Sequence, residues 1–257
     1  MELIDTHTHL YLDSFNSDRN DVVNRALQHN VTHLLLPNID TGSISSMLEM
    51  CEHYPGICFP MMGIHPSSVN ENYRKELAIA ENWLEEDKFI AVGETGIDLY
   101  WDQKFKNQQI RAFEVQVKWA AEKQLPVVIH ARNSFREIFS VLDKYAGSGL
   151  KGVFHSFTGT PDDLKQVLEY DFYVGINGII TFKKSSLIEI VEKLPPEKLL
   201  LETDSLSLAP VPERGKRNES SFIVYTAGKI AGIYGISTED VSGITTSNAK
   251  QLFGLIN

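Results

Sequence analysis

KLLLETD (198–204) is an apolar run closed by an acid, and the same construction recurs along the chain. LID (3–5) runs into Thr6, His7, Thr8 and His9, FPMMGI (59–64) into His65, FIAVG (89–93) into Glu94, LPVVI (125–129) into His130, and KGVF (151–154) into His155. Six short apolar runs thus end in residues that bind metals or carry protons. In a (β/α)8 barrel the C-terminal ends of the strands gather at one mouth, so residues distant in sequence meet there. Singly, a histidine at a strand end reads as readily as a hydrogen-bonded structural group. Jointly, the six point to one site if the strands close around an axis.

The rest of the chain fits that frame. Strands are expected at 3–5, 32–37, 58–64, 89–94, 126–130, 152–155, 172–176 and 199–203, most of them nearly continuous in Val, Ile, Leu and Phe, as in a parallel sheet covered on both faces. Helical patterns at 18–28, 43–52, 68–85, 108–123, 134–144 and 162–168 lie between them, each opening near a capping residue. Segments 221–233 and 238–253 complete the outer layer. The expectation is an α/β fold, a single (β/α)8 TIM barrel over residues 1–257, with an open doubly wound sheet as the rival. No Pro/Gly/Ser-rich linker or repeat interrupts the pattern.

Composition bounds the function. The chain has 257 residues, and a barrel of this kind takes about 250. Cys51 and Cys58 are too few for a disulfide framework or a thiolate zinc site and read as reduced thiols. No apolar stretch approaches the roughly 20 residues needed to cross a bilayer and no leader pattern opens the chain, so the expected location is cytoplasmic. A net charge of -10 argues against stable binding along a nucleic-acid backbone, though not against transient capture of a phosphoester where positive charge comes from metal. Arg214, Lys216 and Arg217, with Lys183 and Lys184 upstream, form a local basic cluster, read as solvated surface or as a guide for a polyanion.

His7 and His9 stand two apart, so on a strand both imidazoles face the same side. Adding Glu94, His130, His155 and Asp204 gives four nitrogen donors and two anionic oxygens, a set suited to zinc, manganese or a similar first-row cation rather than calcium. These six exceed a single closed zinc site, so one or two divalent ions, with Glu94 shared between a pair, is the economical arrangement. Such a site activates a water for hydrolysis. Asp204 then orients that water or accepts its proton, or serves as ligand only.

With those residues in place, the chain resembles the TatD-type metal-dependent deoxyribonucleases of the amidohydrolase-like barrels. The likeness runs through DTHTHL (5–10), the pair Asp18 and Arg19, GIHP (63–66), VGETGID (92–98), LPVVIHAR (125–132), GVFHSFTG (152–159), GI-TF (178–182), LLLETDS (199–205), LAPVPERGKRNE (208–219) and ITTSNAKQLF (244–253). The resemblance implies that His7, His9, Glu94 and Asp204 hold one cation and Glu94, His130 and His155 the other, with Zn, Mg or Mn as the metal. It implies catalytic roles for Glu94 and Asp204, and DNA, in single strands or at 3′ ends, as a transient substrate cleaved exonucleolytically. No membrane and no obligate protein partner is implied. His65 and Arg132 are expected to contact substrate: His65 beside the metals, or as a structural imidazole; Arg132 on a phosphate, or as a solvated loop residue. With RGKR on the same face as Asp204, a guiding role for that cluster is favoured. Tyr100 and Trp101 either stack on a base or cap a loop.

Two departures from the family pattern fall in the loop that borders substrate. Ser205, Leu206 and Ser207 replace the usual short turn with Pro and Tyr, and Ser220 and Ser221 follow where Pro is common. Neither touches an expected ligand. The competing functions are a related amidohydrolase acting on an amide, lactone or small phosphoester, and a non-catalytic metal-binding barrel. Many amidohydrolases bridge their metals with a modified lysine, and no Lys stands beside Glu94.

Overall fold

A computed structural model describes residues 1–255, and in it strands and helices alternate almost throughout. The strands are β1 (Leu3–Asp5), β2 (Val31–Pro37), β3 (Cys58–Met61), β4 (Val92–Asp98), β5 (Val127–Arg132), β6 (Gly152–His155), β7 (Tyr173–Ile176) and β8 (Leu199–Leu201). The helices are α1 (Arg19–Gln28), α2 (Ile44–His53), α3 (Tyr73–Leu84), α4 (Lys106–Lys123), α5 (Phe135–Leu142), α6 (Pro161–Glu169), α7 (Leu187–Lys193), α8 (Ile223–Tyr234) and α9 (Thr238–Phe253). Asn257, the expected end of the domain, lies with its neighbour outside the described residues.

All strand pairs are parallel, in a sheet ordered β1-β2-β3 and a second ordered β4-β5-β6-β7-β8. Parallel neighbours need a crossover between them, which the intervening helices supply. The edges of the two sheets are hydrogen bonded to each other. At the β3/β4 seam Gly93 N donates to Met62 O (2.9 Å) and Ile90 N to Pro60 O (3.1 Å). At the β8/β1 seam Thr6 N and Thr6 Oγ1 both donate to Leu201 O (3.1 and 2.9 Å), and Thr8 bridges to Ser205.

Strand alternation explains how an apolar floor and a polar mouth share one interior. Ile4, Leu35, Met61, Ala91, Val128, Val153, Tyr173 and Leu200, one from each strand or its immediate approach, meet in a single apolar cluster closed from below by Leu252, Phe253 and Leu255 at the end of α9. Two residues further on, along the same face, stand His130 after Val128, His155 after Val153 and Glu202 after Leu200. The alternate residues, such as Val127, Ile129, Phe154 and Leu199, pack outward in the larger cluster with the helices.

The main differences from the expected elements have local causes. β4 begins at Val92 and continues past Glu94 to Asp98. Gly93 and Gly96 let it lie close against β5: a Cβ on Gly93 would come within 2.6 Å of Val128 Cβ, and one on Gly96, whose φ is +146°, within 2.0 Å of His130 O. β1 stops at Asp5, so His7 and His9 sit on an irregular segment rather than a continued strand. α7 has no counterpart among the expected helices, being only seven residues long and followed by Pro195 and Pro196. The well-signalled helices open as their caps dictate: Thr160 and Asp163 form a reciprocal capping box at α6, as do Ser237 and Asp240 at α9, each contributing about 1 kcal/mol.

Candidate metal centre

Glu94 lies at the focus of the strand ends, 2% exposed, and its two oxygens face different histidines. Oε2 is 3.1 Å from His7 Nε2 and 3.7 Å from His9 Nε2. Oε1 is 2.9 Å from His130 Nδ1, 3.0 Å from His155 Nε2 and 3.2 Å from His65 Nε2. Asp204 stands across the mouth, Oδ1 3.9 Å from His9 Nε2, on a residue with φ 53° whose amide donates to His7 O at 3.0 Å. Aspartate is among the few side chains that tolerate this left-handed conformation. The chain therefore brings together His7, His9, His65, Glu94, His130, His155 and Asp204.

Three groups of these donors are each compact enough to surround an ion: His7, His9 and Glu94; His7, His155 and Asp204; and His65, Glu94 and His130. The donor chemistry fits a divalent cation. His7 Nε2 and His9 Nε2 approach to 3.2 Å with their rings 76° apart, both beside Glu94 Oε2, and among the described residues His7 Nδ1 is buried with no hydrogen-bond partner. Burial of so many imidazoles around a carboxylate is costly unless something positive is shared among them. Cys51 and Cys58 take no part in these groups, and burial pushes the Cys51 thiol up to about 12.

The field inside the site is uneven. Burial would raise the Glu94 carboxyl, but the surrounding His65, His155 and His7 hold it well below the usual carboxylate range. Burial holds His7 well below the ordinary imidazole value and brings His9 down to about 4. Burial also opposes charge on His130 and His155, yet both are raised: His130 by hydrogen bonds to Asp98 and Glu94, His155 by the charges of Glu94 and Glu202. Burial lifts Asp204 to about 7, with the Glu94 and Glu202 charges pushing the same way.

Three residues that sequence reasoning passed over support the imidazoles from behind. Asp98 Oδ2 accepts from His130 Nε2 (3.1 Å), Glu202 Oε1 lies 3.4 Å from His155 Nδ1 while accepting from Ser156 N (2.5 Å), and Tyr11 Oη is 3.0 Å from His9 Nδ1. Asp98 and Glu202 stand inside motifs already quoted, VGETGID and LLLETDS, and a second acid in each was the available signal. Gly175 makes room for Glu202, whose Oε2 would lie 2.2 Å from a Cβ there.

His65 sits closer to the centre than a substrate contact alone requires, 3.4 Å from His130 Nδ1 as well as beside Glu94. Arg132 stands apart from the donors but lines the same cavity of about 350 Å3 with His9, Glu94, His130 and Asp204. Its guanidinium lies over Tyr100 (3.8 Å to the ring centre) and near Trp101 (5.4 Å), and Trp101 is 79% exposed. The basic cluster is more committed than its charges suggest. Lys216 pairs with Glu213 (2.5 Å), Arg217 donates to Asp18 (2.5 Å) and to the Ser14 carbonyl, and Arg214 lies over Phe182 (4.0 Å). Arg19 of the early Asp-Arg pair donates to the carbonyls of Leu10, Tyr11 and Leu12 (2.8, 2.9 and 3.1 Å), fixing the turn that follows His9.

Comparison with known proteins agrees over the full length. A family model described as TatD related DNase matches residues 4–254. An uncharacterized metal-dependent hydrolase of Bacillus subtilis, YabD, is 34% identical over 252 residues, covering 98% of each chain. A protein of Pantoea vagans named 3'-5' ssDNA/RNA exonuclease TatD is 30% identical, with 98% of this chain and 100% of that one covered. Among solved structures, the TatD homologue YjjV of Escherichia coli superposes with a TM-score of 0.91 at 25% identity over 98% of both chains.

Proposed function

Because the chain belongs to the TatD-related deoxyribonuclease family, whose members include metal-dependent hydrolases, we propose that it cleaves phosphodiester bonds of DNA at the Glu94 cluster, working exonucleolytically on single strands or 3′ ends. The observation that carries this reading is the buried Glu94 carboxylate with two sets of imidazoles, one on each oxygen. The same reading takes the eight strands as one closed (β/α)8 barrel in a single domain, supported by the hydrogen bonds at both sheet seams and the shared interior cluster.

In this reading His7, His9, Glu94 and Asp204 hold one cation and Glu94, His130 and His155 a second. Bound there, the metal supplies an activated water and charge stabilisation for the phosphoryl group. The chain's own residues do the rest. Asp204, partly open to the cavity, receives the proton of the attacking water. His65 orients the scissile phosphate beside Glu94, and Arg132 binds a phosphate oxygen through its guanidinium edge while its face rests on Tyr100. Tyr100 and Trp101, at the rim, stack on the adjoining base.

The test is hydrolysis of end-labelled single-stranded DNA by chelated protein reloaded with Mg, Mn or Zn, with amide and lactone substrates alongside. The expected result is metal-dependent release of nucleotides from one end. Brisk turnover of an amide or lactone with no nucleic acid cleaved under any metal rejects the nuclease reading.

A further inference from the structure

We propose that Tyr11 is a positioning residue that fixes the proton of the His9 imidazole on Nδ1 and so turns an Nε2 lone pair toward His7, Glu94 and Asp204. The argument is one of hydrogen-bond arithmetic. Tyr11 is 1% exposed, and its hydroxyl lies 2.6 Å from the carbonyl oxygen of Pro37, the last residue of β2. A carbonyl only accepts, so the single phenolic proton is committed to it. His9 Nδ1, 3.0 Å from the same hydroxyl oxygen, is left as the donor. A neutral imidazole that carries its proton on Nδ1 presents a lone pair at Nε2. That nitrogen lies 3.2 Å from His7 Nε2, 3.7 Å from Glu94 Oε2 and 3.9 Å from Asp204 Oδ1, where the donors converge.

The geometry also excludes free rotation of the pair. Arg19 holds the carbonyls on either side of Tyr11 and its own, and the Tyr11 ring meets the His9 ring edge to face at 75°. A chain of contacts thus runs from the end of β2 through a phenol to the imidazole. Unlike Asp98 and Glu202, the phenol sets the tautomer without adding an anion to the site. Partners that fix the outer nitrogen of a ligating histidine typically contribute 10- to 100-fold to metal affinity, roughly.

The proposal rests on reading His9 as a metal donor, but its first test does not. Long-range 15N–1H correlation spectra of the metal-free wild-type protein at neutral pH are expected to show His9 protonated on Nδ1 and bare on Nε2. A proton on Nε2, alone or together with one on Nδ1, overturns the proposal. In Tyr11→Phe the tautomer is expected to become mixed, and calorimetric affinity for Mn or Zn to fall about 10-fold. Unchanged affinity in a folded Tyr11→Phe protein, or weakened affinity with the tautomer unaltered, also overturns it. If that variant does not fold, the wild-type spectrum decides alone. A wild-type protein that binds no cation counts against the metal reading and leaves the spectrum to judge Tyr11.

Discussion

The histidines on the two sides of Glu94 are built differently. On the β5/β6 side, His130 and His155 each have a carboxylate behind them, Asp98 and Glu202, and both imidazoles are raised despite their burial. On the β1 side, among the described residues, His7 Nδ1 has no hydrogen-bond partner and His9 Nδ1 meets the neutral hydroxyl of Tyr11, and burial lowers both. A carboxylate behind an imidazole makes it a stronger electron donor toward whatever lies in front. In the proposed reading the two halves of the site are therefore expected to be unequal, with the β5/β6 half the stronger cation trap and the β1 half, whose Asp204 carboxyl burial lifts to about 7, the weaker, more exchangeable one.

Glu94→Ala breaks the comparison outright, because that side chain belongs to both halves. Metal-dependent cleavage of single-stranded DNA should fall by at least the roughly 10²–10³-fold that loss of one electrostatic stabiliser costs, and calorimetry should show weakened cation binding at both positions. An active Glu94→Ala protein would remove the basis for treating the halves as one centre.

Glu202→Gln and Asp98→Asn sharpen it. Each is expected to weaken cation binding about 10- to 100-fold, and each by more than Tyr11→Phe does on the opposite side. Equal losses on both sides, measured in the same titration, would show that the backing charge does not distinguish them.

Arg132→Ala and Trp101→Ala probe the rim and leave both halves intact. Arg132→Ala is expected to raise KM for single-stranded DNA about tenfold, in keeping with a charge-assisted hydrogen bond of about 1.5–3 kcal/mol made partly in solvent. Trp101→Ala should weaken binding of strands that extend past the scissile phosphate by about 1–3 kcal/mol per lost stack, with little change on the shortest substrates. Cation affinity should stay at the wild-type value in both.

The smallest effect is expected from Arg217→Ala. Its pairing with Asp18 is partly exposed, so the loss should be about 1 kcal/mol or less, read as a small fall in Tm with cleavage of DNA retained. A large fall in activity at full stability would restore Arg217 as a guide for polyanions.

Much of this was legible in the chain because strand periodicity is a local property. Apolar runs ending in His130, His155 or Asp204 announce both the strand and what it carries, and the parallel α/β arrangement follows from their alternation with helices. What could not be read were relations through space. Tyr11 matters because Pro37, at the end of β2, accepts its hydrogen bond; Glu202 because Gly175 leaves a hollow for it; and Asp98 because β4 runs on past Glu94 to meet His130. The pairing of the basic cluster is hidden for the same reason: Arg217 finds a partner in Asp18, far back in the sequence. His7 and His9 converge as strand alternation suggests, yet on a segment where β1 has already ended, held there by backbone hydrogen bonds to Leu35, Asp204 and Ser205.

An anomalous-difference map from crystals soaked in Mn tests the central claim most directly. The account predicts peaks on both sides of the Glu94 carboxylate, in contact with the imidazoles of His7 and His9 on one side and of His130 and His155 on the other, the second filling at lower metal concentration. A map with no peak beside Glu94, or with Mn bound only elsewhere on the surface, would contradict it.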